Sequence, residues 1–466
     1  MRYKRDQAEH PHRRAGRWPR PARKAGPARE DAISAPASSR VRVQATKLLT
    51  AMRRPQGRAV AATAAVNVAT VLVGSIGGLV LARALGPTHR GDLVTVLLWP
   101  AMIGTVASVG IGQATCYWAS GRPDSAAGYM STGAIALVST GLIVAGFGPW
   151  IAELIGRNDE VRRYLTLVLA LTPIYMVAGV WLAVLQATRI SMWNLARTTQ
   201  PLLYLLGVLC LWMLGRLTLG TAVVAFALST VIQCAYSMVV ARRIVGHHTR
   251  PSRSLLRSLF SYGSRVSLST VPQFVNASVD QLILSVMPGV PPAQLGNYAV
   301  AVSLSLLALP ASVAFGSVAF PRLARAPSED HARRIERLSL VGAGVLAGMT
   351  IGVVSALAPF VVPRIFGNGY RDAVVALWLL APGTIFLALN RVLGDLLQGR
   401  GRPIVRSLGE GLGMVCTVAL LIVLIPRFGI RGAAVASSVT YGIVCLFLLV
   451  GLHRSHRATL AELGAP

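Results

Sequence analysis

Apolar blocks of about twenty residues recur along nearly the whole chain, and they leave few folds open. A helix needs about 20 apolar residues to cross the hydrocarbon region of a bilayer. The sequence holds roughly twelve such blocks, near 60–84, 91–118, 127–152, 163–186, 197–215, 219–240, 265–287, 295–318, 340–362, 373–396, 405–425 and 431–452. Membrane barrels are built from alternating strands of about ten residues, whereas these blocks are twice as long and do not alternate. Only 14% of the residues are charged and 53% are hydrophobic, too apolar a balance for a water-soluble core. The expected fold is all-α and integral to the membrane, with about 12 transmembrane helices.

Cytoplasmic loops retain Lys and Arg, which sets orientation. With the N-terminus inside, 36 of the 46 basic residues fall on the inner side and 10 on the outer; leaving out the long first tail, the division is 20 against 10. Both termini are therefore expected in the cytoplasm of a multi-pass cell-membrane protein. The formal net charge of +29 follows from this topology and from affinity for anionic lipid headgroups. It is spread over many loops and not gathered on one face, so no nucleic-acid partner is expected. The stretch 1–58 is rich in Arg, Pro and Ala without apolar periodicity, and is expected to be a disordered basic cytoplasmic tail. An Ala-x-Ala cleavage pattern at Ala82–Ala84 follows an apolar run too long for a signal core of 7–15 residues. Cys116, Cys210, Cys234, Cys416 and Cys445 lie inside predicted spans with no Cys-x-x-Cys spacing, as buried small apolar residues would.

The chain also repeats itself. "LQATR" from Leu185 answers to "LQGRG" from Leu397, and "GTAVV" from Gly220 to "GAAVA" from Gly432, both at an offset of 212; "RGDLVTV" from Arg90 answers to "LGNYAVA" from Leu295 at an offset of 205. Six spans separate each segment from its counterpart. An even number of crossings returns the chain to the same side, so the halves are parallel repeats about a pseudo-two-fold along the membrane normal. The expected organisation is the tail 1–58, an N-lobe 59–241 with spans one to six, a cytoplasmic linker 242–264, a C-lobe 265–453 with spans seven to twelve, and a cytoplasmic tail 454–466. Gly74 and Gly78 form a small-xxx-small pair on the first span, as in ordinary helix packing.

Charges inside spans are costly and mark function or pairing. At 100° per residue, Arg265, Ser269, Pro272, Asn276 and Asp280 fall within about 80° of one another, one polar stripe on the seventh span. Such a stripe faces the bundle or a watered cleft. Asp280 lacks a neighbour of opposite charge on its own helix, and needs a partner from another helix, a cation or a proton. Two readings stay open for it: a coupling or pathway role, together with Asn276, or a structural hydrogen bond between helices. Arg265 either holds an anionic group, since its fork suits phosphate, or snorkels to the interface. The remaining deep acids, Asp395 and Glu410, have Arg391 and Arg406 four positions before them. These four are secondary candidates, with local ion pairs at helix ends as the structural alternative.

Enzyme chemistry finds little to work with. All eight histidines sit in tails or predicted loops, no His-Glu-x-x-His motif or phosphate-binding glycine loop occurs, and the external loops are short. No enzyme, cofactor or metal site is expected. What remains is a secondary transporter or a membrane scaffold.

Four segments carry a resemblance. "LARALGPTHRGDLVTVLLWP", "VDQLILSVM" followed by "LGNYAVAVSL", "LQGRGRP", and "PRFGIRGAAVASSVTYG" resemble, in order, segments of the polysaccharide and O-antigen flippases of the multidrug/oligosaccharidyl-lipid/polysaccharide exporter superfamily, over roughly Ala59 to His453. The resemblance implies two six-helix lobes and a substrate of oligosaccharide attached through pyrophosphate to a polyprenol, moved from the cytoplasmic to the external leaflet. It further implies contact with membrane lipids and with polysaccharide polymerase or export machinery. Arg265 then suits the headgroup phosphate, and Asp280 coupling to a proton or sodium gradient. The spans hold fewer charges than the lipid II flippase branch of the superfamily, which leaves lipid II as an alternative substrate. A cation-coupled drug or metabolite antiporter of the same superfamily is another, although no acidic residue lies deep in the first six spans.

Overall fold

The computed structural model describes residues 55–246, 249–310 and 328–462, together with residues 312, 315, 316, 319 and 323. Residues 1–54 of the expected tail and most of the eighth predicted span beyond residue 310 lie outside them. By contact, the described residues from Ala59 onward form one compact unit. Among the described residues every regular element is helical. In chain order the helices are α1 (Pro55–Ala107), α2 (Ile111–Gly121), α3 (Ala126–Gly146), α4 (Gly148–Ile155), α5 (Asp159–Ala170), α6 (Thr172–Thr188) and α7 (Ile190–Met213). They continue with α8 (Leu219–Val245), α9 (Arg253–Val286), α10 (Pro292–Ser305), α11 (Glu329–Ile365), α12 (Arg371–Gly399) and α13 (Pro403–Glu462).

Two of these helices hold two spans each. Gly86 (φ 71°) in α1 and Gly429 (φ 54°) in α13 take left-handed backbone that a side chain would resist. The chain doubles back at both. A Cβ on Gly78 would stand 3.8 Å from the Arg90 guanidinium, although twelve residues of straight helix would separate their backbones by about 18 Å. Likewise a Cβ on Gly432 would run into the Leu424 carbonyl oxygen. Six described helices are long and apolar enough to cross a membrane, or seven if α5 and α6, bent by 40° at their junction, form one span. Counting the doubled α1 and α13, and adding α7, α9 and the eighth span begun by α10, the architecture is the expected one of twelve.

The N-lobe is held by α6, which packs against α2, α3, α7 and α8, with α2 on α3 and α7 on α8, around a core that includes Tyr129, Leu137, Val180 and Val184. In the C-lobe α12 packs between α11 and α13, with α9 and α10 completing the bundle. Glu329 and Glu336 of α11 are tied to the buried Arg400 at the end of α12, the Glu329 pair at 2.9 Å.

Three details differ from the sequence expectation. The linker placed at 242–264 is helical from Arg253, because Leu255 and Leu259 carry the apolar face of α9 onward against the N-lobe, where Leu259 is fully buried. The second span breaks at Val109 and Gly110, both with positive φ. Gly74 has open space where a Cβ would be, so the Gly74–Gly78 pair is not a tight helix contact.

Candidate functional site

The lobes meet across the pseudo-two-fold on the face that holds the Gly86 and Gly429 turns. A Cβ on Gly91 would run into the Pro292 carbonyl oxygen, and one on Gly296 into the Pro87 carbonyl oxygen. Gly91 and Gly296 stand 205 positions apart, as do Pro87 and Pro292, which is the offset of the repeat. The contact is thus self-complementary, like the isologous interface of a symmetric dimer. Two N-lobe arginines cap C-lobe helix ends beside it. Arg83 donates to the carbonyls of Arg364 (2.8 Å) and Ile365 (3.2 Å) at the end of α11. Arg157 donates to Leu284 (2.7 Å), Met287 (3.1 Å) and Val290 at the end of α9. A cation at the carbonyl end of a helix satisfies unpaired acceptors and opposes the helix dipole. Tyr370 also donates to the Ala82 carbonyl at 2.9 Å, and Trp99 to Ser285 at 2.8 Å. This face is closed.

Arg157→Ala is expected to loosen the closure without abolishing it, since the glycine contact stays. A cysteine at Ser285, buried where Trp99 bonds to it in the closed face, with the five native cysteines replaced, should then react severalfold faster with a membrane-impermeant thiol reagent.

Toward the opposite face, which carries the basic loops, each lobe contains a cavity. The N-lobe cavity has a volume of 640 Å³ and is lined from α1, α2, α3, α6, α7 and α8. Its lining includes the exposed Gln113, at the start of α2, and the exposed Gln186, near the basic-face end of α6. Arg197 on α7 lies 4.1 Å above the Trp193 ring and donates to Asn67 at 2.6 Å. Beside these, α9 runs from one lobe into the other: Tyr262 stacks on Tyr117 at 4.2 Å, and Gly263 meets Gly110 backbone to backbone.

The C-lobe cavity is smaller, 120 Å³, and charged; Asn276, Asp280, Arg391, Arg406 and Glu410 all line it. Asp280 is 5% exposed. Its carboxylate accepts from the Tyr298 hydroxyl (2.6 Å), the Ser437 hydroxyl (3.3 Å) and the Gln281 amide (2.7 Å), joining α9, α10 and α13. Asn276 donates to the Glu410 side chain at 2.9 Å and to its carbonyl at 2.8 Å. A Cβ on Gly413 would stand 3.2 Å from that Asn276 amide, and one on Gly394 would stand 2.9 Å from Arg406, so two glycines make room for the site.

The structure therefore brings together five of the seven residues singled out in the sequence, with Asp395 joined through Arg406 at 3.1 Å. That pairing replaces the expected local ones. Asp395 takes Arg406 from α13 and not Arg391 from its own helix, and Glu410 takes Asn276, because facing helices bring these groups closer than one helical turn does. Arg265 stands apart: it is exposed, lines neither cavity, and donates back to the carbonyl (3.0 Å) and hydroxyl (2.9 Å) of Ser261. The sequence reading missed Tyr298, Ser437 and Tyr441, the last of which lines the same cavity and donates to the Asn276 carbonyl at 3.3 Å. The signal for Tyr298 was present, a phenol inside the repeated "LGNYAVA" segment.

Comparison with known proteins places this architecture. A family described as "Polysaccharide biosynthesis protein" matches residues 57–327, more than half of the chain. The chain belongs to this family. Among curated relatives, the chain is 25% identical to an uncharacterized membrane protein, MJ1068, of Methanocaldococcus jannaschii, over 67% of this chain and 65% of that protein. It is 23% identical to the probable low-salt glycan biosynthesis flippase Agl15 of Haloferax volcanii, over 42% of this chain and 41% of that protein. These two matches span less than two thirds of the relatives' lengths. A putative O-antigen transporter of Shigella flexneri is 22% identical over 61% of this chain and 68% of its own. Among solved structures, lipid II flippase MurJ in an inward closed conformation superposes with a TM-score of 0.72 at 11% identity, over 84% of this chain and 88% of that one. An inward-facing multidrug resistance MATE family transporter of the MOP superfamily gives 0.67 at 17% identity, over 86% and 99%. Family membership and fold together make the chain a multi-pass membrane protein with the transporter architecture of that superfamily.

Proposed function

We propose that this protein is a flippase that carries a polyprenyl-pyrophosphate-linked oligosaccharide from the cytoplasmic to the external leaflet by alternating access. One observation carries the reading: in a member of the polysaccharide biosynthesis family, the turn face is shut by a self-complementary contact between repeats while the large N-lobe cavity opens toward the basic face. A contact of this kind closes or opens as a unit when the lobes rock about the pseudo-two-fold. With the basic face and both termini in the cytoplasm, the cavity would load there. The named functions of the Haloferax and Shigella relatives point to the same substrate class.

The polyprenol stays in the bilayer while the headgroup crosses. Arg265 is assigned to the pyrophosphate, as an exposed guanidinium whose Nη1 makes no hydrogen bond among the described residues. Asp280 and Asn276, in the charged C-lobe cavity, are assigned to coupling with a proton or sodium gradient; gain or loss of a cation there would alter the Tyr298 and Ser437 bonds between three spans. A polymerase or export complex would receive the flipped product.

Complementation of a polysaccharide-export null strain tests the reading, with protein levels matched and lipid-linked intermediates quantified by leaflet. The wild type is expected to clear the inner-leaflet intermediate, and Arg265→Ala and Asp280→Asn to accumulate it. Equal clearance by all three would remove both residues from the pathway.

A further inference from the structure

Resting on the flippase reading, we propose that the N-lobe cavity is the subsite for the sugar portion of the headgroup, and that it takes an uncharged, hydroxyl-rich glycan. The lining departs from that of the C-lobe cavity in kind. Among the described residues that line it there is no carboxylate, and Arg197 is the one charged side chain. That guanidinium keeps its charge but is already engaged by Asn67 and by the Trp193 ring, and the rest of the described wall is neutral.

Beside the Thr105, Ser108, Thr230 and Tyr175 hydroxyls, the polar groups that remain are amides. Gln113, Gln186 and Gln200 line the cavity and make no side-chain hydrogen bond among the described residues. Each offers two donors and an acceptor oxygen, the complement of sugar hydroxyls and acetamido groups, which donate and accept at close spacing. Trp193 and the 46%-exposed Tyr175 supply aromatic surface to the same wall, against which the apolar C–H face of a sugar ring packs. Polar groups that fix orientation, set among larger aromatic and apolar surfaces, are the usual make-up of a small-molecule site, and the 640 Å³ volume lies within the usual range of about 300–1,000 Å³. Three of the four charged groups of the C-lobe cavity have partners of their own, Asp280 in Tyr298 and Ser437, Glu410 in Asn276 and Arg406 in Asp395, so the two lobes divide the work: the N-lobe holds sugar, the C-lobe holds the coupling ion.

The test uses the purified full chain in lipid nanodiscs. Binding is measured for undecaprenyl pyrophosphate alone and for the same lipid carrying di- or trisaccharides of neutral hexoses or N-acetylhexosamines. At least one of these uncharged glycans is expected to bind about tenfold tighter than the bare lipid. That gain should vanish in the triple variant Gln113→Ala, Gln186→Ala, Gln200→Ala, with bare-lipid affinity unchanged. Because the three amides hold no partner among the described residues, the triple variant should keep the wild-type melting temperature; Trp193→Phe, which keeps a ring but loses area, should show a partial loss. A bare lipid bound as tightly as every glycosylated one, or a gain that survives in the triple variant, would overturn the sugar subsite and leave the flippase reading standing. Failure of the wild type to bind any of the lipids would overturn both.

Discussion

Gly91→Ala is expected to open the turn face and cost most of the transport activity. One methyl group at this position meets the Pro292 carbonyl oxygen, a backbone atom that no rotamer change can move aside. Overpacking of this kind costs about 1–3 kcal/mol, which shifts a closed-to-open equilibrium by about 5- to 150-fold. Gly296→Ala should have the same effect, because its Cβ meets the Pro87 carbonyl oxygen through the symmetry-related contact. The double variant should be less than additive, as both methyl groups break one closure. The readout is the reactivity of a cysteine at the buried Ser285 toward an impermeant thiol reagent, together with the flipping rate. Unchanged reactivity in both single variants would mean that the contact is not the gate.

Substitution of Asp280 separates structure from coupling. Asp280→Leu removes the acceptor of two buried hydroxyls, Tyr298 and Ser437, at about 1–3 kcal/mol for each group left unpaired. A clear fall in melting temperature is expected. Asp280→Asn behaves differently. Its amide oxygen still serves the Gln281 N–H, and its NH₂ finds the Tyr298 and Ser437 oxygens, since hydroxyls accept as well as donate. Stability should change by about 1 kcal/mol or less, while gradient-driven flipping falls by at least about tenfold because the site has lost its charge. Normal flipping by a stable Asn variant would make Asp280 a helix-joining residue and nothing more.

The spans and the repeat were legible because bilayer thickness imposes a block length and duplication imposes an offset; both are one-dimensional signals. The seventh span's polar stripe was legible in part. Its period told that Asn276 and Asp280 face inward, and the absence of a partner on the same helix told that Asp280 bonds elsewhere. The partners themselves were not legible, since Tyr298, Ser437 and Glu410 come from helices whose facing is set by packing. The local pairs Arg391–Asp395 and Arg406–Glu410 failed for that reason: a position four residues away is near, but a facing helix is nearer. Nor did the three glutamines of the N-lobe cavity stand out, being spread singly over α2, α6 and α7 with no shared period. The gate glycines did appear in the repeated segments. Their meeting across the two-fold became visible only when the lobes were placed side by side.

The most direct measurement follows one lipid across one membrane. The purified chain is reconstituted into liposomes with a neutral-glycan undecaprenyl pyrophosphate, and leaflet accessibility of the sugar to an impermeant glycosidase is followed in time, with and without proton and sodium gradients. The account predicts transfer well above that of protein-free liposomes, accelerated by one of the gradients and mostly lost in Gly91→Ala. Transfer no faster than in protein-free liposomes, from a preparation with an intact melting transition and with the glycans of the binding panel each tried, would contradict it.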